Sequence, residues 1–335
     1  VAAASLPVSL RATPAPSACA SAAAAGECAA DRGPGQKPAA TRRAALSDHA
    51  LLQVAEPRRH PKVALMQEPV EWRTSGVTAG DGQWCEGMAP AGGWDLKECS
   101  ADTSIPQEVK VLTYNLYWWN LYGSHFRNGN GGSAGRLIAA GGSDHPYDFM
   151  AFQECEDVER VLRDAGLEGR YGSVIGEHAV AIAYKKDEWV LVANGMNEVA
   201  EDRPEQWWGL RGALWARFGH LSTGKTILVV NHHGPLPIDT GGRCGRRATA
   251  WNLLRTIATH ALQADGIFLL GDFNAKVTSE TIRELDDRLH HVHSGWAFGG
   301  VDHIFSNCGD VHVVSRRNLG NGGSDHDALD AVIAV

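Results

Sequence analysis

Short apolar runs rich in β-branched and aromatic residues recur from Val109 to the end of the chain. Runs of this length between turn residues predict buried strands. We expect strands at 109–114, 149–152, 179–184, 213–218, 226–230, 267–270, 301–305, 311–314 and 328–335. Helical patterns are fewer and lie near 158–165, 251–261 and 280–289. Because the strands do not alternate strictly with helices, the sequence predicts an α/β fold in which a two-sheet β-sandwich is flanked by helices.

The first hundred residues have a different composition. Residues 1–50 are rich in Ala, Pro, Gly and Ser and bury too little apolar surface to offset the entropy of ordering, so we predict disorder there. Residues 51–105 carry scattered Leu, Val and Trp without a sustained period, which predicts an extension or pro-segment. The main domain is therefore expected at 106–335.

Charge and cysteine content restrict the possible classes of protein. Residues 106–335 contain 28 acidic against 21 basic residues, which argues against a broad basic surface that wraps nucleic acid. The sequence lacks a run of about 18 to 20 apolar residues, so we expect no integral membrane segment. Of seven cysteines, Cys85 and Cys99 flank a Gly- and Trp-rich segment and are either disulfide-bonded or free. A monomer is expected, with a secreted or cell-surface location favoured over an intracellular one.

Polar clusters border most of the predicted strands. They contain Asn115, Glu154, Asn231, His232, His233, Asp272, Asn274, Asp302, Asp325 and His326. Polar groups at strand ends converge at one rim of a sandwich, so six such clusters predict one site. A single cluster would indicate only a turn or a helix cap.

The residue types suit the hydrolysis of a phosphate ester. That reaction needs a cation to neutralise the phosphoryl oxygens, a group that prepares water, and hydrogen-bond donors for the transition state. Asn115, Glu154 and Asp325 offer hard oxygen ligands that suit Mg²⁺, with Mn²⁺ or Ca²⁺ as alternatives. A zinc site would use more His or Cys ligands. His233 and His326 titrate near neutral pH and are candidate acid–base groups.

The ordered motifs resemble those of the endonuclease/exonuclease/phosphatase superfamily of deoxyribonuclease I-like phosphoesterases. They are TYN (113–115), QE (153–154), NxH (231–233), GDFN (271–274), DxIF (302–305) and SDH (324–326). The resemblance covers residues 109–335 and implies a catalytic domain with the four-layer deoxyribonuclease I-like fold.

The resemblance also implies roles for single residues. The metal would be held by Asn115 and Glu154, with Asp325 near it. The catalytic residues would be His233, Asp272, Asn274, Asp302 and His326. Arg211 and Asn231 would contact the substrate. Two points stay open at this stage. His232 competes with His233 as the functional histidine, with His233 favoured by the NxH spacing, and Glu177 is expected near the first histidine.

The favoured function is a phosphodiesterase that acts on nucleic acid. A lipid or small-molecule phosphoesterase is an alternative substrate class, and an inactive binding protein on the same fold is an alternative of another kind. The retained catalytic residues speak against an inactive protein. The aromatic runs at 117–119 and 207–208 either stack on a substrate base or meet lipid, although core packing is the expectation for them. The glycine-rich stretch at 128–142 predicts a surface loop.

Overall fold

The computed structural model describes residues 96–99, 106–123 and 130–335. The predicted disordered segment at 1–50 and most of the segment at 51–105 lie outside the described residues. Among the described residues, no helix is long and apolar enough to cross a membrane.

Twelve strands and five α-helices make up the described part of the chain. The strands are β1 (Glu108–Asn115), β2 (Phe149–Gln153), β3 (Tyr171–Ile175), β4 (Ala181–Lys185), β5 (Trp189–Glu201), β6 (Leu210–His220), β7 (Thr226–His233), β8 (Gly266–Asp272), β9 (His290–Ser294), β10 (Asp302–Ser306), β11 (Val313–Asn318) and β12 (Leu329–Ala334). The helices are α1 (Trp118–Leu121), α2 (Gly131–Gly141), α3 (Val158–Asp164), α4 (Arg246–His260) and α5 (Glu280–Asp286).

The strands form two six-stranded sheets. The first has the order β11-β12-β1-β2-β4-β3 and the second has the order β5-β6-β7-β8-β10-β9. Within each sheet one pair is parallel, β1 with β2 and β7 with β8, and the other pairs are antiparallel. This arrangement confirms the predicted two-sheet sandwich.

Three hydrophobic layers hold the sandwich together. Inward-facing side chains of both sheets form the central layer, which includes Val111, Phe149, Val229 and Phe268. Helices α2 and α3 pack on the outer face of the first sheet, and α4 and α5 pack on the outer face of the second. The central strands are buried on both faces, which explains why they read as continuous apolar runs. The chain therefore has four layers, with the sheets between the helices.

Several elements differ from the sequence predictions. Strands β3, β5 and β9 were not predicted, and β11 begins two residues later than the predicted run. The glycine-rich stretch expected to be a loop contains helix α2. Gly135 of this helix packs against the backbone of Asp164, where a Cβ atom would lie 2.4 Å from the carbonyl oxygen. The glycines that weaken the helical pattern thus allow close packing on α3.

A disulfide joins Cys99 to Cys308. The possibility that Cys99 pairs with Cys85 is therefore wrong. Cys308 lies just after β10 in the central core, and Cys99 comes from the segment before β1. The bond attaches residues 96–99 to the domain across a sequence separation of 209 residues. Cys155 is free and buried.

Asn231 connects the two sheets below the rim where the polar clusters lie. It belongs to β7 in the second sheet, and its Nδ2 donates to the carbonyl oxygens of Phe152 and Ala181 in the first sheet, at 2.8 and 2.9 Å. Its Oδ1 accepts a hydrogen bond from Gln153 Nε2 at 2.7 Å. The side chain is fully buried. Three bonds occupy the amide, so this geometry supports a structural role rather than the predicted contact with substrate.

Replacing Asn231 tests this role. Asn231→Ala would remove the donor to two buried carbonyl groups and one of the acceptors of the Gln153 amide, which is expected to lower the free energy of unfolding by about 2 to 4 kcal/mol. Chemical denaturation with a two-state fit measures the change. The exposed Asn194 on β5 provides a matched control, because Asn194→Ala should change stability by less than about 0.5 kcal/mol. Unchanged stability of Asn231→Ala with a raised KM would place Asn231 in the substrate site instead.

Candidate active site

The common direction of the strands within each of the two parallel pairs brings the polar clusters together. Asn115 and Glu154 stand at the carboxyl ends of β1 and β2, and His233 and Asp272 stand at the carboxyl ends of β7 and β8. Across the core, β1 faces β8 and β2 faces β7. The four side chains therefore meet at one rim of the sandwich.

Asp272 lies at the centre of this cluster and is 1% exposed. Its Oδ2 accepts a hydrogen bond from Asn115 Nδ2 at 3.0 Å, and its Oδ1 accepts one from the backbone N–H of Asn274 at 2.8 Å. The Nε2 atoms of His233 and His326 lie 3.5 and 3.6 Å from Oδ2. Asn115 Nδ2 also reaches Glu154 Oε1 at 3.3 Å. One carboxylate thus contacts groups from both sheets.

His326 is held by a carboxylate on its other side. Its Nδ1 lies 3.1 Å from both oxygens of Asp302. Ser324 fixes the loop that carries this histidine, because its hydroxyl donates to the carbonyl oxygen of Asn115 and accepts from the N–H of His326. Burial by itself lowers the pKa of His326, but Asp272 and Asp302 outweigh that effect and raise it to about 10. These two carboxylates therefore favour the protonated form of the ring.

His233 has a different partner. Its Nδ1 lies 3.2 Å from Arg211 Nη1, and Arg211 makes two hydrogen bonds of 2.9 Å to Asp202. A guanidinium group only donates, so Nδ1 accepts and the proton of the neutral ring is on Nε2, facing Asp272. Burial and the Arg211 charge lower the pKa of His233 to about 3. His233 is therefore a neutral hydrogen-bond donor. Glu177, expected near this histidine, is exposed and faces His178 instead.

The neighbouring His232 points to the opposite face of β7. It is fully buried, its Nδ1 contacts the carbonyl oxygen of Gly212 at 2.9 Å, and its ring packs edge-on against Phe273. Burial lowers its pKa to about 4. Successive side chains of a strand alternate between faces, so only one of the paired histidines can reach the cluster. The structure places His233 there.

Two residues at the rim have a left-handed backbone. Glu154 has φ 49° and Asn274 has φ 47°, a backbone region that residues other than glycine rarely adopt. Glu154 directly follows β2, and Asn274 lies two residues after the end of β8. Asn274 Nδ2 donates to the carbonyl oxygen of Gly234 at 2.9 Å, which fixes the turn beside Asp272. Backbone strain of this kind concentrates at functional sites.

The cluster has more negative charge than the protein itself neutralises. It contains the carboxyl groups of Glu154, Asp272, Asp302 and Asp325, while Arg211 is already paired with Asp202. Burial raises the pKa of Glu154, and it also raises the pKa of Asp325 at the exposed edge of the site. A phosphate group would be repelled by such a site unless a cation were bound first. The charge balance therefore fits a divalent metal ion.

The donor atoms also fit a metal ion. Among the described residues, ligand atoms of Asp272, Asp302 and His326 lie within 4.8 Å of one another. However, the His326 ring is already engaged with Asp302, so the carboxylate oxygens of Glu154 and Asp272, which both accept a hydrogen bond from the Asn115 amide, suit a hard cation better. Asp325 stands beside His326 in the loop that closes this side.

Sequence analysis missed two residues that the structure brings to the site. Asp202 binds Arg211 and also accepts hydrogen bonds from the backbone N–H groups of Trp208 and Leu236. Phe298 packs against the His326 ring with centroids 4.9 Å apart. Asp202 lies in an ordinary acidic stretch, and Phe298 lies in a glycine-rich turn, so neither belongs to a motif.

The model of the endonuclease/exonuclease/phosphatase family matches residues 117–326, a range that contains Glu154, His233, Asp272, Asp302 and His326. The chain belongs to this family. The comparison with curated protein sequences gives no match.

Solved structures share the fold of this family member. An endonuclease/exonuclease/phosphatase family protein from Bacteroides thetaiotaomicron is 21% identical with a TM-score of 0.54, over 69% of this chain and 98% of that one. A mannosyl-6-phosphatase from the same organism is 22% identical with a TM-score of 0.53, over 68% and 99%. The catalytic domain of human Nocturnin is 14% identical with a TM-score of 0.51, over 68% and 96%. At these identities the likeness concerns the fold.

The paired histidines provide a test of the site. His233→Ala removes a donor that faces the reacting group and is expected to lower kcat by about 10² to 10⁴-fold. His232→Ala removes a buried ring on the other face, so it should lower the melting temperature and affect kcat far less. Steady-state kinetics and thermal unfolding of both variants measure the difference. A dead His232→Ala beside a near-normal His233→Ala would contradict the assignment.

Proposed function

We propose that the protein is a divalent-metal-dependent phosphodiesterase that acts on nucleic acid. The observation that carries the proposal is the buried cluster around Asp272, where excess carboxylate charge lies beside one imidazolium and one neutral imidazole donor. This combination suits a substrate that is itself an anion and needs both a cation and hydrogen-bond donors. An inactive binding protein would not be expected to keep this complete set.

The residues divide the chemistry between them. A bound Mg²⁺, with Mn²⁺ or Ca²⁺ as alternatives, would neutralise charge on the phosphoryl oxygens, and Asn115, Glu154, Asp272 and Asp325 would hold it. Asp302 orients His326, whose Nε2–H donates to a phosphoryl oxygen. His233 donates from Nε2 because Arg211 occupies Nδ1. Asp272, with Asn274 fixed beside it, accepts a hydrogen bond from the attacking water.

In the hydrolysis the water oxygen forms a bond to phosphorus while the ester P–O bond breaks. The water gives a proton to Asp272, the leaving ester oxygen takes the Nε2 proton of His326, and Asp272, 3.6 Å from that nitrogen, returns a proton to His326. Asp272 lies between the two histidine donors, so a water held by its carboxylate is placed next to the phosphoryl group that they bind. The imidazolium of His326 is the group with a proton to give as negative charge develops. Removing Arg211 would free Nδ1 of His233 and allow the other tautomer, so Arg211 supports the proposed reaction indirectly.

A small-molecule phosphatase is the second candidate. It is favoured by the structural likeness to the mannosyl-6-phosphatase, since both chains share the fold. A nucleic acid diester is favoured over it because exposed aromatic side chains border the site near both Arg211 and His326. Both groups esterified to the phosphorus would then contact the protein, whereas a monoester has only one such group.

We also propose a secreted or cell-surface location and a monomeric state. The disulfide between Cys99 and Cys308 supports the location, because such bonds persist in oxidising compartments.

One substrate panel tests the proposed function. The protein is expected to cleave a nucleic acid diester with Mg²⁺ or Mn²⁺, and excess chelator should abolish the activity until metal is restored. The panel contains single-stranded and duplex DNA, RNA, sphingomyelin and a sugar phosphate monoester. Cleavage of the monoester alone would favour the small-molecule phosphatase, and full activity in excess chelator would rule out the metal mechanism.

A further inference from the structure

Exposed aromatic side chains concentrate at the active end of the sandwich. In the described part of the chain, the exposed tryptophan and phenylalanine side chains are Trp119, Trp207, Trp208, Trp296 and Phe298. All of them belong to segments that border the site, whereas Trp118, Trp189 and Trp215 are buried elsewhere in the fold. The expectation that the runs at 117–119 and 207–208 are core therefore holds only for Trp118.

The exposed rings form two groups. The first group is Trp119 and Trp208, whose ring centroids lie 6.2 Å apart. Trp119 follows Asn115 by four residues, and the backbone N–H of Trp208 is bound by Asp202, the partner of Arg211. We call this pair the first wall.

The second group is Trp296 and Phe298, in the connection between β9 and β10. Phe298 packs on the His326 ring, and the backbone N–H of Trp296 is bound by Asp327 at 3.0 Å. Trp296 is 78% exposed, and Trp208 in the first wall is 75% exposed, so neither ring is needed to fill the core. We call this pair the second wall.

The walls flank the phosphoryl centre from opposite sides. Trp208 of the first wall lies just before β6, and the second wall lies just before β10, with β7 and β8 between these two strands. Three strand spacings separate β6 from β10, or about 14 Å. One nucleobase cannot contact both walls at that distance, but the two nucleobases on either side of one phosphate can.

The charge around the site distinguishes between binding of a nucleic acid duplex and binding of a single strand. Binding a duplex relies on unpaired Lys and Arg along the phosphate backbone. Here Arg211, Arg243 and Lys276, which border the site, each lie within ion-pair distance of a carboxylate, at 2.9, 2.7 and 3.6 Å. Stacking of bases on aromatic rings needs few cations and requires that the bases be unpaired.

We propose that the two walls bind the nucleobases on either side of the scissile phosphate, and that the substrate is a short single-stranded nucleic acid rather than a duplex. This inference rests on the proposed function. It assigns Trp208 and Trp296 to substrate recognition, with Trp119 and Phe298 as the rings that support them. Neither wall takes part in the chemistry at phosphorus.

The test uses a six-nucleotide single strand, the same six nucleotides paired in the stem of a hairpin, and the single strand with tetrahydrofuran abasic residues on both sides of the cleaved bond. The wild-type protein should cleave the intact single strand at least about tenfold better, in kcat/KM, than either alternative. Trp208→Ala and Trp296→Ala should each lower kcat/KM on the intact strand by about 5- to 150-fold, the range that loss of one stacked base corresponds to.

The matched variants make the result specific. Both alanine substitutions should lower the ratio of kcat/KM on the intact strand to kcat/KM on the abasic strand. Trp208→Phe and Trp296→Phe should keep most of the wild-type ratio. Val311→Ala, at a 92% exposed position near the start of β11, is the control for loss of an exposed apolar side chain and should not change the preference.

Each contrary outcome overturns a different statement. Equal cleavage of the intact and abasic strands, or unchanged kcat/KM in both alanine variants, would overturn the role of the walls while nuclease activity remained. If Trp208→Ala and Trp296→Ala lost binding to sphingomyelin vesicles but cleaved the oligonucleotides as the wild-type protein does, the walls would contact lipid. Hydrolysis of a monoester with no cleavage of any oligonucleotide would overturn the proposed function itself.

Discussion

A buried carboxylate, that of Asp272, organises the active end of the molecule. Burial by itself raises its pKa, but the neighbouring His326 and His233 outweigh burial and lower it, so the group is an anion in the interior. A buried charge is tolerated when donors surround it, and Asn115, Asn274 and the two histidines supply them from both sheets. The positions of most other residues of the candidate site depend on this one charge, because each of these contacts Asp272 or contacts a residue that does.

The sequence allowed the fold and much of the candidate site to be predicted because local patterns carry that information. Strands β1, β7 and β8 are buried on both faces and read as apolar runs, and each ends in the polar residue that enters the site. The helix predicted near 280–289 begins where expected, and the side chain of Ser279 accepts a hydrogen bond at the start of α5. Choosing His233 over His232 followed from spacing, and alternation along β7 places the two rings on opposite faces.

Other features depend on contacts between distant parts of the chain. Helix α2 is rich in glycine, and its stability comes from packing on the first sheet and α3 rather than from helix propensity. The partner of Cys99 is 209 residues away, so spacing could not identify it. Asp202 becomes important only because the fold brings it to Arg211, and the exposed rings of Trp208 and Trp296 resemble core residues until the loops that carry them are placed.

The central claim is that the carboxylates around Asp272 hold a divalent cation. Titration of the metal-free protein with Mn²⁺, followed by electron paramagnetic resonance, measures this directly and needs no substrate. One tightly bound ion is expected per chain, with affinity at least about tenfold weaker in Glu154→Gln, since altering even a residue that only supports a metal ligand costs about 10- to 100-fold in affinity. Asp144→Asn, at an exposed carboxylate remote from the site, is the control and should bind Mn²⁺ normally. Equal affinity in the wild-type protein and Glu154→Gln, or no bound ion in either, would contradict the account.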